Sequence, residues 1–206
     1  MERFVEKVTA LITRDAGAGP ELLLFQHPYA GVQIPAGTVQ AGEAPEVAVV
    51  REAAEETGLS PFSAPCYLGS EDWRPEAGQA LIAERTTVYA RPDTGSFDWA
   101  YLPRSALVRI ERRASGFHQV TYEEFDRVPD PGYVTMCICG WVPDGVLAGA
   151  AKRYYYHLAY EGPRRARWTV RTDNHTFSLF WASLADLPAI IPPQDAWPAF
   201  LDEVCH

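Results

Sequence analysis

Pro45-Glu-Val-Ala-Val-Val-Arg-Glu-Ala-Ala-Glu-Glu-Thr57, followed by Gly58, is the stretch on which the reading of this chain turns. Proline suits a first helical position and glycine suits the left-handed residue that closes a helix, so a helix is predicted between them. At about 100° per residue, Val47, Val50 and Ala54 fall on one side, and Glu52, Glu55 and Glu56 on the other. One face is expected to pack on a core while three carboxylates converge on the opposite face. For the helix alone that is unfavourable. Glu52 repels Glu55 and Glu56 one turn on, and the last two acids sit where the helix dipole is negative. Together these effects cost on the order of 1–2 kcal/mol. Two readings fit: a solvated acidic stripe, or a site for a hard divalent cation, which takes oxygen ligands and would remove the penalty.

Outward from the helix stands Gly37-Thr-Val-Gln-Ala-Gly-Glu43, then seven residues, then Arg51-Glu52-Ala53-Ala54-Glu55-Glu56-Thr57-Gly58-Leu59. This resembles the Nudix box, G-x₅-E-x₇-R-E-U-x-E-E-x-G-U, in which U is a bulky aliphatic residue. All seven fixed positions match, and a chance match in this chain is on the order of one in a million. Ala53 departs at the first U position, which touches packing and not the acids. The resemblance implies an α/β fold: a Nudix-type α/β/α sandwich with a mixed β-sheet. It also implies Mg²⁺-dependent hydrolysis, with Mn²⁺ as a substitute, of a pyrophosphate bond in a nucleoside diphosphate linked to another moiety. By position, Glu52, Glu55 and Glu56 would be metal ligands. Glu43 would pair with Arg51 or reach the metal through water. Catalysis would rest on Glu56 and Glu55, with Glu56 the box candidate for taking a proton, and Arg51 in a mainly structural part. Gly37 and Gly58 would shape the backbone.

The substrate is less legible. Pro35-Ala36-Gly37 and Pro75 resemble features of ADP-ribose and nucleotide-sugar pyrophosphatases, whereas Gln33 stands where that subgroup often has an acid. Glu71, Glu76, Glu84, Glu123 and Glu124 are candidate bases outside the box. Trp73, Tyr29, Trp99 and Phe117 could stack on a base, and Arg74, Arg85 and Arg153 could meet phosphates. His27, His118, His157 and His175 show no ligand spacing. The alternative reading is a nucleotide-binding or regulatory module without turnover, although such modules often lose box acids. An isoprenoid diphosphate isomerase would want a catalytic cysteine and a different box.

Composition bounds these readings. The chain has 206 residues, nearly half apolar, and a formal charge of −9. That charge argues against gripping nucleic acid through a basic face, but a bound cation still permits a small anionic substrate. No apolar run approaches the ~20 residues of a bilayer span, and Met1 to Arg14 lacks signal-peptide form. Cys66, Cys137, Cys139 and Cys205 form no C-x-x-C pair, and buried thiols in a reducing cytoplasm are expected. A homodimer is expected from the family's habits alone.

A single domain over 1–206 is expected, with an insertion or elaborated lobe at about 92–151. Strands are predicted at Val5–Arg14, Glu21–His27, Cys66–Gly69, Gln79–Arg91, Tyr133–Trp141, Arg153–Tyr160, Arg167–Arg171 and Thr176–Trp181, and a terminal helix at Asp195–Val204. A recurring aromatic–Pro–Leu pattern at Tyr101–Leu107 and Trp141–Leu147, with a looser copy at Trp181–Leu187, predicts strands ending in one-turn helices.

Overall fold

The computed structural model describes residues 3–17, 19–128, 130–172 and 175–202. In chain order the elements are β1 (Phe4–Asp15), β2 (Pro20–His27), β3 (Gly31–Gln33), β4 (Ala36–Thr38), α1 (Pro45–Thr57) and β5 (Cys66–Trp73). There follow β6 (Gln79–Ile82), β7 (Thr86–Tyr89), β8 (Asp98–Leu102), β9 (Leu107–Ala114), β10 (Phe117–Phe125) and β11 (Val134–Pro143). The chain continues with a 3₁₀ turn (Asp144–Val146), β12 (Leu147–Ala148), β13 (Ala150–Ala159), β14 (Arg167–Thr172), β15 (His175–Ser183) and a 3₁₀ helix (Gln194–Leu201). Two compact units result: Lys7–Ser70 with Arg153–His206, and Met1–Glu6 with Glu71–Lys152. The segment expected as an insertion, at about 92–151, lies inside the second.

The first unit is built on a sheet ordered β14-β15-β2-β1-β13-β5, with β3 beside β2 and β4 beside β1. The sheet is mixed. β1 and β2 are antiparallel. β13 runs with β1, since Arg153 bonds Thr9 while the Tyr160 N–H bonds the Thr13 carbonyl further along. Side chains alternate across the strands. Val8, Ala10 and Ile12 pack with Ala48, Val49 and Ala53 of α1, together with Leu23, Phe25, Leu158 and Leu179. Leu11, Leu22, Leu24 and Tyr155 turn to the other face and meet Trp197 and Leu201 of the 3₁₀ helix. Both faces are covered, which is why Leu22 to Leu24 read as one unbroken apolar run. The expected α/β sandwich with a mixed sheet is thus formed, with a 3₁₀ helix as one outer layer. The terminal helix expected to be α is 3₁₀ where it is described, because Pro198 lies inside it and has no N–H for an α-helical bond. Glu203 and Val204, the end of that prediction, lie outside the described residues.

The second unit is a seven-stranded sheet ordered β12-β6-β9-β10-β11-β7-β8 around Ile82, Val88, Leu102, Val108, Val120 and Val142. The strand expected over Gln79–Arg91 is two strands, β6 and β7, interrupted at residues 83–85. The charged stretches Arg109–Arg113 and Tyr122–Arg127 fall largely in β9 and β10. Ser115 and Gly116 join these strands, and both take positive φ, as a two-residue hairpin loop with matching twist requires. Of the three aromatic–Pro–Leu copies, Trp141–Leu147 ends in a one-turn helix; the others end in turns. Cys66, Cys137 and Cys139 are exposed free thiols, contrary to the expected burial: Cys137 and Cys139 share the solvent side of β11. Cys205 lies outside the described residues. Among the described residues, no helix is long and apolar enough to cross a membrane.

Candidate metal and catalytic site

α1 begins at Pro45 with no side-chain cap. It ends at Gly58, whose φ of 64° lets its N–H bond the Ala54 carbonyl at 2.8 Å. Trp168 Nε1 donates to the Thr57 carbonyl at 2.7 Å and fixes the same end from β14.

The buried face of the helix is rotated from the one the apolar spacing suggested: Val50 of the expected stripe packs against the core, but only partly buried. Ala48, Val49, Ala53 and Thr57 are buried, whereas Val47 is 57% exposed. On a helical wheel Glu52 and Glu56 fall within the buried arc, flanked by Ala48 and Ala53. Two of the three acids therefore turn toward the sheet and only Glu55 faces solvent, 56% exposed. The inward turn is supported by the backbone of β4. The Ala36 N–H donates to Glu56 Oε2 at 2.9 Å, and the Thr38 N–H to Glu52 Oε1 at 3.1 Å. Gly37 lies between these amides, where a Cβ would run into the Glu52 carboxyl group. Gly37 is required here for close approach.

Arg51 ties the acids together. Its Nε and Nη2 each reach a Glu43 carboxylate oxygen at 2.8 Å, and Nη2 also donates to the Thr38 carbonyl at 3.2 Å. Nη1 lies 2.9 Å from Glu52 Oε1 and 3.2 Å from Glu55 Oε2. Glu43 further accepts the Gln40 N–H at 2.9 Å. Three carboxylates share one guanidinium. Hydrogen bonding from Arg51 holds the Glu43 carboxyl down to about 2, and the hydrogen bond to Glu43 raises Arg51 in turn. Glu52 moves the other way: burial pushes it up, against the pull of Arg51 and the Thr38 amide.

The structure thus brings Glu43, Arg51, Glu52, Glu55, Glu56 and Gly37 together through one loop and one helix. In this arrangement no three His, Cys, Asp or Glu side chains among the described residues converge closely enough to hold a metal ion. Arg51 stands among Glu43, Glu52 and Glu55, and β4 amides hold Glu52 and Glu56. The spacing of the sequence could not reveal these amides, since a backbone N–H carries no side-chain signal.

The candidate bases Glu71, Glu76, Glu84, Glu123 and Glu124 belong to the other compact unit, as do Trp73, Trp99, Phe117, Arg74, Arg85 and His118. Within that unit Glu84 pairs with Arg3 at 3.0 Å, Arg85 lies over the Tyr101 ring, and His118 Nδ1 lies 2.8 Å from Asp144. In the box-bearing unit Tyr29 and His27 gather with His175, the two imidazoles 5.0 Å apart. His157 bonds the Thr13 hydroxyl at 2.7 Å. Arg153 lies over the Trp197 ring at 4.4 Å.

Among solved structures the chain is similar to the MutT protein from Methanosarcina mazei Go1, at 16% identity and a TM-score of 0.42, covering 98% of this chain and 93% of that one. Comparison with curated proteins gives no match. The sequence pattern of the NUDIX domain matches residues 3–133. With that match over more than half its length, the chain belongs to the NUDIX family and is an enzyme that hydrolyses pyrophosphate bonds in nucleoside diphosphate derivatives.

Proposed function

We propose that this enzyme is Mg²⁺-dependent and cleaves a nucleoside diphosphate linked to another moiety, with ADP-ribose or a nucleotide sugar as the first candidates. The observation that carries the metal reading is the inward turn of Glu52 and Glu56 over Gly37, with Glu55 beside them. A helix that needed acids only for solubility would leave them all in water. The donor set is all carboxylate oxygen, which suits a hard divalent cation. Glu52, Glu55 and Glu56 would hold it. When bound, Mg²⁺ or Mn²⁺ would neutralise the adjacent phosphate charges and acidify a bound water. Glu56 takes the proton of the attacking water, held in place by the Ala36 N–H. Arg51 positions the acids, and Glu43 orders the loop by anchoring Arg51.

The test is incubation with ADP-ribose, dinucleoside polyphosphates, nucleotide sugars and nucleoside triphosphates, with Mg²⁺ and with Mn²⁺, watching for mononucleotide or phosphate. Glu55→Gln and Glu56→Gln are each expected to lower kcat at least a hundredfold with the melting temperature little changed. Silence across the whole panel defeats the reading. A second reading, a nucleotide-binding module without turnover, draws support from the sharing of Arg51 among three carboxylates, and tight binding without products would favour it. The segment at about 92–151 is read as an elaborated lobe of one domain. Three exposed free thiols suit a reducing cytoplasm. A homodimer is included in the proposal: Phe125, Val134 and Met136 leave exposed apolar surface at the end of one hairpin, and sedimentation would decide it.

A further inference from the structure

β15 lies against β2 in a register that sets Leu179 opposite Phe25 and Ser178 opposite Gln26. Phe25, Phe177 and Leu179 belong to the core that α1 covers, so by strand alternation His27 and His175 stand on the α1 side too. The rings form a continuous series. Phe25 and Phe177 stack at 4.6 Å, Phe177 meets His27 at 5.3 Å, and His27 meets His175 at 5.0 Å. Tyr29 closes the series, edge-on to His27 at 6.2 Å and to His175 at 5.9 Å. Burial falls along it: Phe25 and Phe177 are buried, His27 and His175 are half-buried, and Tyr29 is 59% exposed. The loop that carries Tyr29 is pinned. The Tyr29 N–H donates to His27 Nδ1 at 3.1 Å, Gln33 Nε2 to the Ala30 carbonyl at 3.1 Å, and the Ile191 N–H to the Val32 carbonyl at 3.0 Å. An ionised glutamate at 33 could not donate to Ala30, so the glutamine found there belongs with this loop. Only Ile34 and Pro35 separate β3 from β4, whose amides hold Glu52 and Glu56, so the loop feeds directly into the strand beside the acids. Because its Nδ1 accepts, neutral His27 carries its proton on Nε2, and burial together with His175 lowers its pKa and favours that uncharged form. An uncharged imidazole behind a pinned, exposed phenol suits a flat aromatic ligand better than a phosphate. Of the four side chains expected to stack on a base, Trp73, Trp99 and Phe117 belong to the other unit, and Tyr29 alone shares a unit with the box.

We propose that Tyr29, backed by His27 and His175, is the platform on which the nucleobase of the substrate stacks. The ligand class rests on the hydrolase reading. Tyr29 supplies the contact face, the two imidazoles hold the ring upright from behind, and Gln33 fixes the loop that presents it. The platform binds the base and leaves the diphosphate to the box acids.

The test uses the full chain with AMP, GMP, CMP and UMP as probes, and with ribose 5-phosphate, which carries the same sugar and phosphate without a base. Calorimetry with Mg²⁺ present is expected to show the tightest of the four nucleotides binding the wild type at least about tenfold better than ribose 5-phosphate. Tyr29→Ala should erase that advantage and leave ribose 5-phosphate binding unchanged, whereas Tyr29→Phe should keep it. Trp73→Ala and Trp99→Ala, in the other unit, should keep it as well. Saturation-transfer NMR on the wild-type protein needs no variant to fold: the base protons of the bound nucleotide should receive more saturation than the sugar protons. Equal binding of nucleotides and ribose 5-phosphate, an advantage that survives Tyr29→Ala, an equal loss of both kinds of probe in that variant, or weaker saturation of the base than of the sugar overturns the platform. If the wild type cleaves a nucleotide substrate while Tyr29→Ala keeps the same KM, the platform is wrong and the hydrolase reading stands. If the base advantage depends on Tyr29 and no substrate is ever cleaved, the platform stands and the hydrolase reading falls.

Discussion

Arg51 shows how much a single side chain settles at this site. Its charge offsets the repulsion between Glu52 and Glu55 that the bare helix would suffer, and draws in Glu43 from the preceding loop. The pairing with Glu43 has a measurable consequence. The Glu43 carboxyl is depressed from 4.5 to about 2 in the folded protein. A depressed acid adds stability that is fully present above its unfolded value and disappears as pH falls through its folded value. The stability gap between wild type and Glu43→Gln is therefore expected to be constant above pH 5 and to shrink between about pH 4.5 and 2, as urea titrations across that range would report. Gly37 offers a second check at this scale. Because a Cβ there meets the Glu52 carboxyl group, Gly37→Ala should cost about 1–3 kcal/mol and also lower turnover, through displacement of Glu52. A variant that melts and turns over like wild type would contradict the geometry. The identity and spacing of Gly37, Glu43 and Arg51 were legible in the sequence; their partners on β4 were not.

The helix α1 teaches the opposite lesson at the level of the element. Its limits, Pro45 and Gly58, were readable from local backbone chemistry and are where the helix begins and ends. Its orientation was not. Val47, Val50 and Ala54 looked like the core stripe, yet Ala48, Val49 and Ala53 are the fully buried residues in the core with β1 and β13, while Val50 packs there only partly buried and Val47 is exposed. Alanines carry little apolar weight in a spacing argument, and inward glutamates count against the face that holds them. The amides of β4 and the guanidinium of Arg51 help make that face tolerable for carboxylates. The two orientations predict different costs. Val49→Ala should destabilise by about 2 kcal/mol, whereas Val47→Lys should stay within about 0.5 kcal/mol of wild type, by chemical denaturation. The hairpin loop at Ser115 and Gly116 is the contrasting case. A Ser-Gly pair between β-rich runs signals such a turn, and the density of charge in β9 and β10 hid it: their outward residues include Arg109, Glu111, Arg112 and Arg113.

At the scale of the molecule, the chain is a mixed-sheet unit carrying the box and a seven-stranded antiparallel unit from Glu71 to Lys152. Solvent exposure of Cys66, Cys137 and Cys139 implies that a disulfide-forming aromatic reagent should titrate at least three thiols in the native protein. Labelling that appears only on unfolding would restore the buried-thiol expectation. The sequence by itself determined the catalytic family, the acids of the box and the ends of the helix that holds them. Those features depend on residue identity at short range, where a proline, a glycine or a carboxylate at fixed spacing has one meaning. Tertiary structure alone decided which way Glu52 and Glu56 face, and that His27 and His175, 148 positions apart in the chain, stand side by side. Both outcomes come from strand pairing, β4 against β1 and β15 against β2, which joins residues by register and not by proximity in the chain.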